Sequence, residues 1–449
     1  MTSAPGSHPG TASSHDAALA STTQLFLACL ALPIVFEFGG LRLSPYRLVL
    51  LAMFLPCLIR WARGDAGPLR FPDFIVLLIA AWSALSFVLS HGSAGVESAG
   101  IVFIETTTPY FLARLSIQNL NAFKQFVSLA ISIVLVLMPF ALLETLTGQN
   151  RLNAIFDLVF TTYPDVAKPP RLGLDRVQGP FEHPILFGVF CGSVFALACY
   201  SLDNARGSIK PAVVFGTATL SLSSGPMSAL MAQVGLIVWD RVLRGTRQRW
   251  LLLAVLVCSA YVIVDILSNR TPAEVFISYA AFNSDTAYNR ILIWQWSWVN
   301  VWEHPWFGLG NGDWKRLWFM TPSVDMFWMH RAMVHGLPVG ILNQVLIFWV
   351  MFAIARRSGL CDQASRIRTG VIVCLCGFFI AGMTVHFWNA TFVWYMFALG
   401  SAVWILDVQP TPAHADLDSR YLRSQTPKGL LERVEFKRIQ KNLGRVRVF

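Results

Sequence analysis

A dozen apolar runs dominate this sequence, and they restrict its fold more than any other feature. They lie at about 22–38, 46–60, 72–90, 96–113, 124–147 and 183–201, then at about 210–222, 225–239, 250–268, 336–355, 369–386 and 390–407. A bilayer core offers no water to backbone groups, so among single segments only a helix crosses it with its N–H and C=O groups paired internally. Each crossing takes ~20 apolar residues. The runs predict an all-α fold, a polytopic transmembrane helix bundle of about 12 spans, with loose boundaries because several runs fall short of that length. Composition argues against soluble domains. Hydrophobic residues make up 55% of the 449 and charged residues only 13%, with a mean hydropathy of +0.54. Soluble domains carry about 25% charged residues. An aromatic content of 13%, including 16 Trp, suits a chain that lines two membrane interfaces.

Lysine and arginine set the orientation. With the N-terminus inside, the short inner loops carry Arg60, Arg63 and Arg70, then Arg114 and Lys124, Arg206 and Lys210. They continue with Arg241, Arg244, Arg247 and Arg249, and with Arg356, Arg357, Arg366 and Arg368. A C-terminal tail at 409–449 adds 9 basic residues against 4 acidic ones, so 24 of the 35 basic residues fall inside. This is the bias expected of a multi-pass inner-membrane protein with both termini cytoplasmic. Residues 1–21 contain no Lys or Arg and read as a cytoplasmic tail rather than a cleaved signal. The membrane domain then covers 22–408. The net charge of +10 reflects topology and attraction of the tail to anionic lipid, not a nucleic-acid partner. The eight cysteines lie mostly within apolar runs and outside the two long outer loops, so no disulfide framework is implied.

Those outer loops, about 148–182 and 269–335, hold most of the candidate chemistry. The first ends with Arg171, Arg176, Gly179, Glu182, His183 and Pro184 directly above a span. Guanidinium groups capture phosphate oxygens two at a time, more strongly at a low-dielectric rim, although a lone arginine there also snorkels toward headgroups. The second loop places Arg290, Trp294, Trp298 and Trp302 four residues apart, near one face of an amphipathic, largely helical stretch. Gly308, Gly310 and Gly312 follow no strand and read as tight turns. Near the next span stand Asp325, His330 and His335, whose carboxylate or imidazole groups suit removal of a proton from a sugar hydroxyl. On a helix, Asp325 and His330 would point apart.

Ionisable residues within spans are functional candidates by default. Glu105, beside Pro109, is the deepest. Glu144 and Asp265 lie near span ends, where solvation accounts for them, and His386 is a further case. No metal-ligand motif occurs, so neither metal nor cofactor is expected. No internal repeat is visible.

Four blocks taken in order resemble the O-antigen ligase/polymerase superfamily of bacterial membrane glycosyltransferases. They are Arg176-x-x-Gly179-x-Phe181-x-His183-Pro184 with Gly188; Ser221-x-Ser223-Ser224-Gly225-Pro226; Arg290-x-x-x-Trp294 leading to His304-Pro305, Gly308 and Gly310; and Asp325 leading to Gly336 and Gly340. The resemblance implies an oligosaccharide donor on undecaprenyl pyrophosphate at the outer leaflet, with Arg176 and Arg290 on the pyrophosphate. It also implies a base on the second loop, Asp325 first, with His330 or His335 as substitutes, and a metal-independent, inverting transfer. Ligases of this family carry a His-Asn pair where this sequence has Asp325-Met326. That departure favours a polymerase of O-antigen, capsule or exopolysaccharide repeat units over a ligase acting on lipid A core. A flippase or transporter of lipid-linked glycan is the reading from another class. Membrane lipid is an expected partner and a chain-length regulator a candidate one.

Overall fold

The computed structural model describes residues 19–38, 41–202, 208–246, 248–280 and 284–408. The tail expected at 409–449, and nearly all of that expected at 1–21, lies outside the described residues. Nearly all of the regular structure in the described chain is helical. Its first half runs α1 (Ser21–Leu30), α2 (Pro45–Ala62), α3 (Phe71–His91), α4 (Val96–Ser116), α5 (Leu120–Thr147), α6 (Arg151–Phe156) and α7 (Pro184–Ser201). It continues with α8 (Lys210–Thr219), α9 (Ser224–Val242), α10 (Arg249–Leu267), α11 (Pro272–Tyr279), α12 (Ser284–Glu303), α13 (Phe327–His335), α14 (Leu337–Ala355), α15 (Asp362–Gly382) and α16 (Asn389–Ala402).

Each of the twelve apolar runs carries one of these helices. Eight segments among the described residues are long and apolar enough to cross a membrane, and one of them, Phe71–Ser116, is the α3–α4 pair. Fewer than twelve qualify because α1 and α8 have only 10 residues each and α9 is less apolar. The run at 22–38 is not one span. Pro33 follows α1, removing a backbone donor and pressing its predecessor out of helical geometry. The chain then forms β1 (Ile34–Phe38), paired antiparallel with β2 (Leu41–Leu43) and with β3 (Thr161–Thr162) of the first long loop.

Helix starts follow local chemistry. Proline stands in the first turn of α2, α3, α7, α8, α11 and α14, where its missing N–H costs nothing. Asn119 caps α5 by accepting from the Ala122 N–H at 2.8 Å. Packing is densest around α7 and α16, whose residues are nearly all buried, whereas no residue of α10 is buried. An apolar helix exposed all round is a lipid-facing one.

One end of the bundle gathers the strands, both long loops and the α8–α9 turn. The second loop is helical, as expected, through α11, α12 and α13. The opposite end gathers basic residues in ion pairs: the fully buried Arg114 meets Asp73 at 3.2 Å and Asp407 at 3.4 Å, and Arg249 meets Asp240 at 3.0 Å.

Candidate functional site

Three arginines from two loops converge on the turn between α8 and α9. Arg171 Nη1 donates to the Leu222 carbonyl at 2.8 Å, Arg176 Nη2 to Ser223 Oγ at 2.8 Å, and Arg290 Nη1 to Ser224 Oγ at 3.2 Å. The turn is sharp: Leu222 has φ 44, in the left-handed region. Gly188 of α7 lets it approach, since a Cβ there would meet Ser221 Oγ at 2.5 Å.

Arg176 is aimed by its loop, and the loop is held by Glu144. That carboxylate accepts the Gln178 N–H at 2.7 Å and the Gly179 N–H at 3.0 Å, while Thr145 Oγ1 donates to the Asp175 carbonyl at 2.6 Å. Solvation therefore does not account for Glu144, which is buried and works as an anchor for backbone N–H groups. A hydropathy profile, which sees only position along the run, carries no signal for this role.

The arginine cluster is rich in positive charge. Arg176 keeps a buried Nε with no hydrogen-bond partner, and burial beside Arg171 pushes its guanidinium down to about 10. Burial lowers Arg290 as well, opposed by the Asp325 carboxylate. Neither Arg176 nor Arg290 has a carboxylate within ion-pair distance among the described residues. Their charge at neutral pH is kept, so the pocket is suited to an anion with several oxygens.

Asp325 precedes α13, so helical spacing from His330 does not govern it. Its Oδ1 accepts from Ser323 Oγ at 2.6 Å. Ser323 and Val324 line a cavity of about 610 Å³ that His330, Arg331, His335 and His386 also line. The His330 and His386 rings stack with centroids 3.8 Å apart. Arg331 Nη1 lies 3.2 Å from His335 Nε2, and its guanidinium sits 5.0 Å from the Phe392 ring centroid. Burial, then the Arg331 charge, pushes His330 down to about 3 and His335 well below the usual imidazole range. Arg331 was not singled out by its sequence context, and His386 was visible only as an ionisable residue within a span. Both are drawn in by packing between distant segments.

His183 lies between the two clusters. Its Nδ1 accepts the Ile185 N–H at 3.2 Å, capping α7, and its ring centroid is 6.2 Å from that of Trp388. Burial, then Arg176 and Lys168, pushes it down to about 4. Glu105 also lines the cavity, but it is ion-paired with Arg47 at 2.7 Å, a partner the sequence did not suggest.

The tryptophan ladder of α12 forms, with ring centroids 5.8 Å apart for Trp294–Trp298 and 6.1 Å for Trp298–Trp302. Arg290 at its head is buried while Trp302 is exposed. Steps of four residues drift by about 40° on a helix of 3.6 residues per turn, which turns the ladder out toward the surface. The Gly308–Gly310 turn docks on the end of α13: the Leu309 and Gly310 N–H groups each donate at 2.9 Å, to Met333 and Val334. Gly336, with φ 89, passes so close to Trp306 that a Cβ would lie 2.1 Å from its carbonyl oxygen.

No curated protein matches this chain. A family model described as O-antigen ligase matches residues 212–335, which include the serine turn, Arg290, Asp325, His330 and His335 but not Arg171, Arg176 or His183. With eight segments among the described residues long and apolar enough to cross a membrane, the chain is a multi-pass membrane protein, and its residues 212–335 are similar to the O-antigen ligase family.

Proposed function

We propose that the chain is a membrane glycosyltransferase that joins undecaprenyl-pyrophosphate-linked repeat units at the outer face of a bacterial inner membrane. The observation that carries this reading is the convergence of Arg171, Arg176 and Arg290 on residues 222–224, with the Asp325 carboxylate acting on the Arg290 charge and following Ser323 and Val324, which line a cavity. A diphosphate leaving group gains negative charge as its bond to the anomeric carbon breaks, and fixed guanidinium groups in a partly desolvated pocket stabilise that charge. The acceptor hydroxyl approaches through the cavity and attacks the anomeric carbon from the opposite side, inverting it. Its proton passes to the Asp325 carboxylate, and the lipid diphosphate leaves. His330 and His335, neutral where they stand, are the substitutes for the base. The basic end of the bundle then faces the cytoplasm, in keeping with the positive-inside rule.

The test is a transfer assay on purified protein with lipid diphosphate-linked repeat units, products being separated by size. A ladder of added repeats supports the polymerase. Transfer only when lipid A core is supplied converts the reading to a ligase, the activity named by the matched family. No transfer under either condition overturns it in favour of a transporter.

A further inference from the structure

The bundle end that carries the arginines holds a second cavity, of about 540 Å³, between the β1–β2 strands and the 161–164 stretch. It takes no part in the chemistry proposed above. Trp388 and Asn389 line both this cavity and the one beside Asp325, so the two share a wall. Both volumes fall in the range of about 300–1,000 Å³ usual for small-molecule sites.

Charge balance decides what the second cavity suits. Its ionised groups are already partnered: Arg47 with Glu105 at 2.7 Å, and Arg42 with Glu37 at 3.3 Å. Glu182 accepts from Asn389 Nδ2 at 2.5 and 2.7 Å. The arginine pocket has positive charge to spare; this one does not, so it offers little to an anion. It offers hydroxyl chemistry instead. Tyr163 and Ser44, hydrogen-bonded to each other at 2.7 Å, keep further lone pairs, and Thr161 and Thr162 edge the opening. Hydroxyls that donate and accept from one atom match those of a sugar, and the Trp388 indole supplies an apolar face for a pyranose ring.

The shared wall is braced by two side chains that line the second cavity. Asn389 opens α16 with φ 49, a left-handed conformation that asparagine tolerates better than most residues. Its Oδ1 accepts from Arg47 Nη2 at 2.8 Å while its Nδ2 holds Glu182.

We propose that the second cavity is a carbohydrate subsite, holding uncharged sugar residues of the acceptor glycan remote from its reacting hydroxyl, with the chain crossing the Trp388–Asn389 wall to reach the cavity at Asp325. The proposal rests on the glycosyl-transfer reading. Binding remote sugars adds affinity that is the same in ground and transition states, so its loss raises KM and leaves kcat in place.

Two variants test it. Thr161→Trp fills the opening with an indole, and Tyr163→Phe removes one hydroxyl while keeping the ring. Acceptor KM is measured with soluble saccharides of one and of three repeat units released from the host polysaccharide. Thr161→Trp should raise KM for the three-repeat acceptor roughly tenfold, a loss of ~1.4 kcal/mol, with the one-repeat value unchanged; Tyr163→Phe should shift it the same way by less. Equal effects on both acceptors, or none in either variant, overturn the subsite. Saturation-transfer NMR with the three-repeat saccharide gives a readout independent of turnover. Signals in wild type that vanish in Thr161→Trp support the subsite, and their absence from wild type overturns it. Wild-type protein that binds this saccharide yet transfers nothing removes the glycosyl-transfer reading and leaves the carbohydrate site standing.

Discussion

Arg176 and Arg290 come from different loops, yet they donate to adjacent side chains, Ser223 Oγ at 2.8 Å and Ser224 Oγ at 3.2 Å. The serine turn thus acts as a template that sets two guanidinium groups side by side. Like charges are held together there by hydrogen bonds to neutral groups, and an anion bound between them would relieve the repulsion.

Arg176→Ala and Arg290→Ala should each lower kcat by about 10²–10³, the usual cost of removing one preorganised stabiliser of developing charge. Arg290→Lys should fall between, because lysine keeps the charge and loses the planar fork. Single-turnover transfer on protein extracted from the membrane fraction measures both. Normal product from both alanine variants removes the diphosphate role.

Asp325→Asn should slow turnover by about 10²–10⁴, the range for loss of a general base, with little change in donor KM. The assay is a steady-state series in donor at saturating acceptor. Unchanged turnover would move the base to His330 or His335.

His183 is held down to about 4, against about 6.5 for an ordinary imidazole. Between those values the unfolded chain binds the proton and the folded chain does not. Stability therefore rises with pH across this window and is lost as pH falls below about 6.5. The thermal midpoint in detergent should drop from pH 7 to pH 5. His183→Asn keeps a capping acceptor without titrating, so its midpoint should drop less. Equal slopes for both proteins assign the effect to other groups.

Glu105→Gln should act on stability before chemistry. It leaves Arg47 half-buried without its carboxylate, a loss of roughly 3 kcal/mol for a pair of this burial. A lower melting midpoint with transfer per folded molecule retained is the expected result. Folded Glu105→Gln protein without activity would instead give Glu105 a part in the reaction.

Local chemistry made the helices and the two loops legible. Twelve apolar runs became twelve helices because a run of apolar side chains carries its own reason to be helical in lipid. Pro33 and the 34–38 stretch, which pairs with strands elsewhere, escaped that logic, as did the end of the 369–386 run beyond Gly382. Arg171, Arg176, Arg290 and Asp325 stood out in sequence because charge above a span is costly wherever the chain goes. The meeting of the three arginines on one turn was not legible, since it depends on Glu144 anchoring the first loop and on the close passage at Gly188. The His330–His386 stack, Arg331 and the Asn389 brace were hidden for the same reason. Hydropathy and spacing are sums over neighbours in the chain, whereas a site is made of neighbours in space. Only the packing of α4, α7, α13 and α16 and the loops above them decided which side chains those would be.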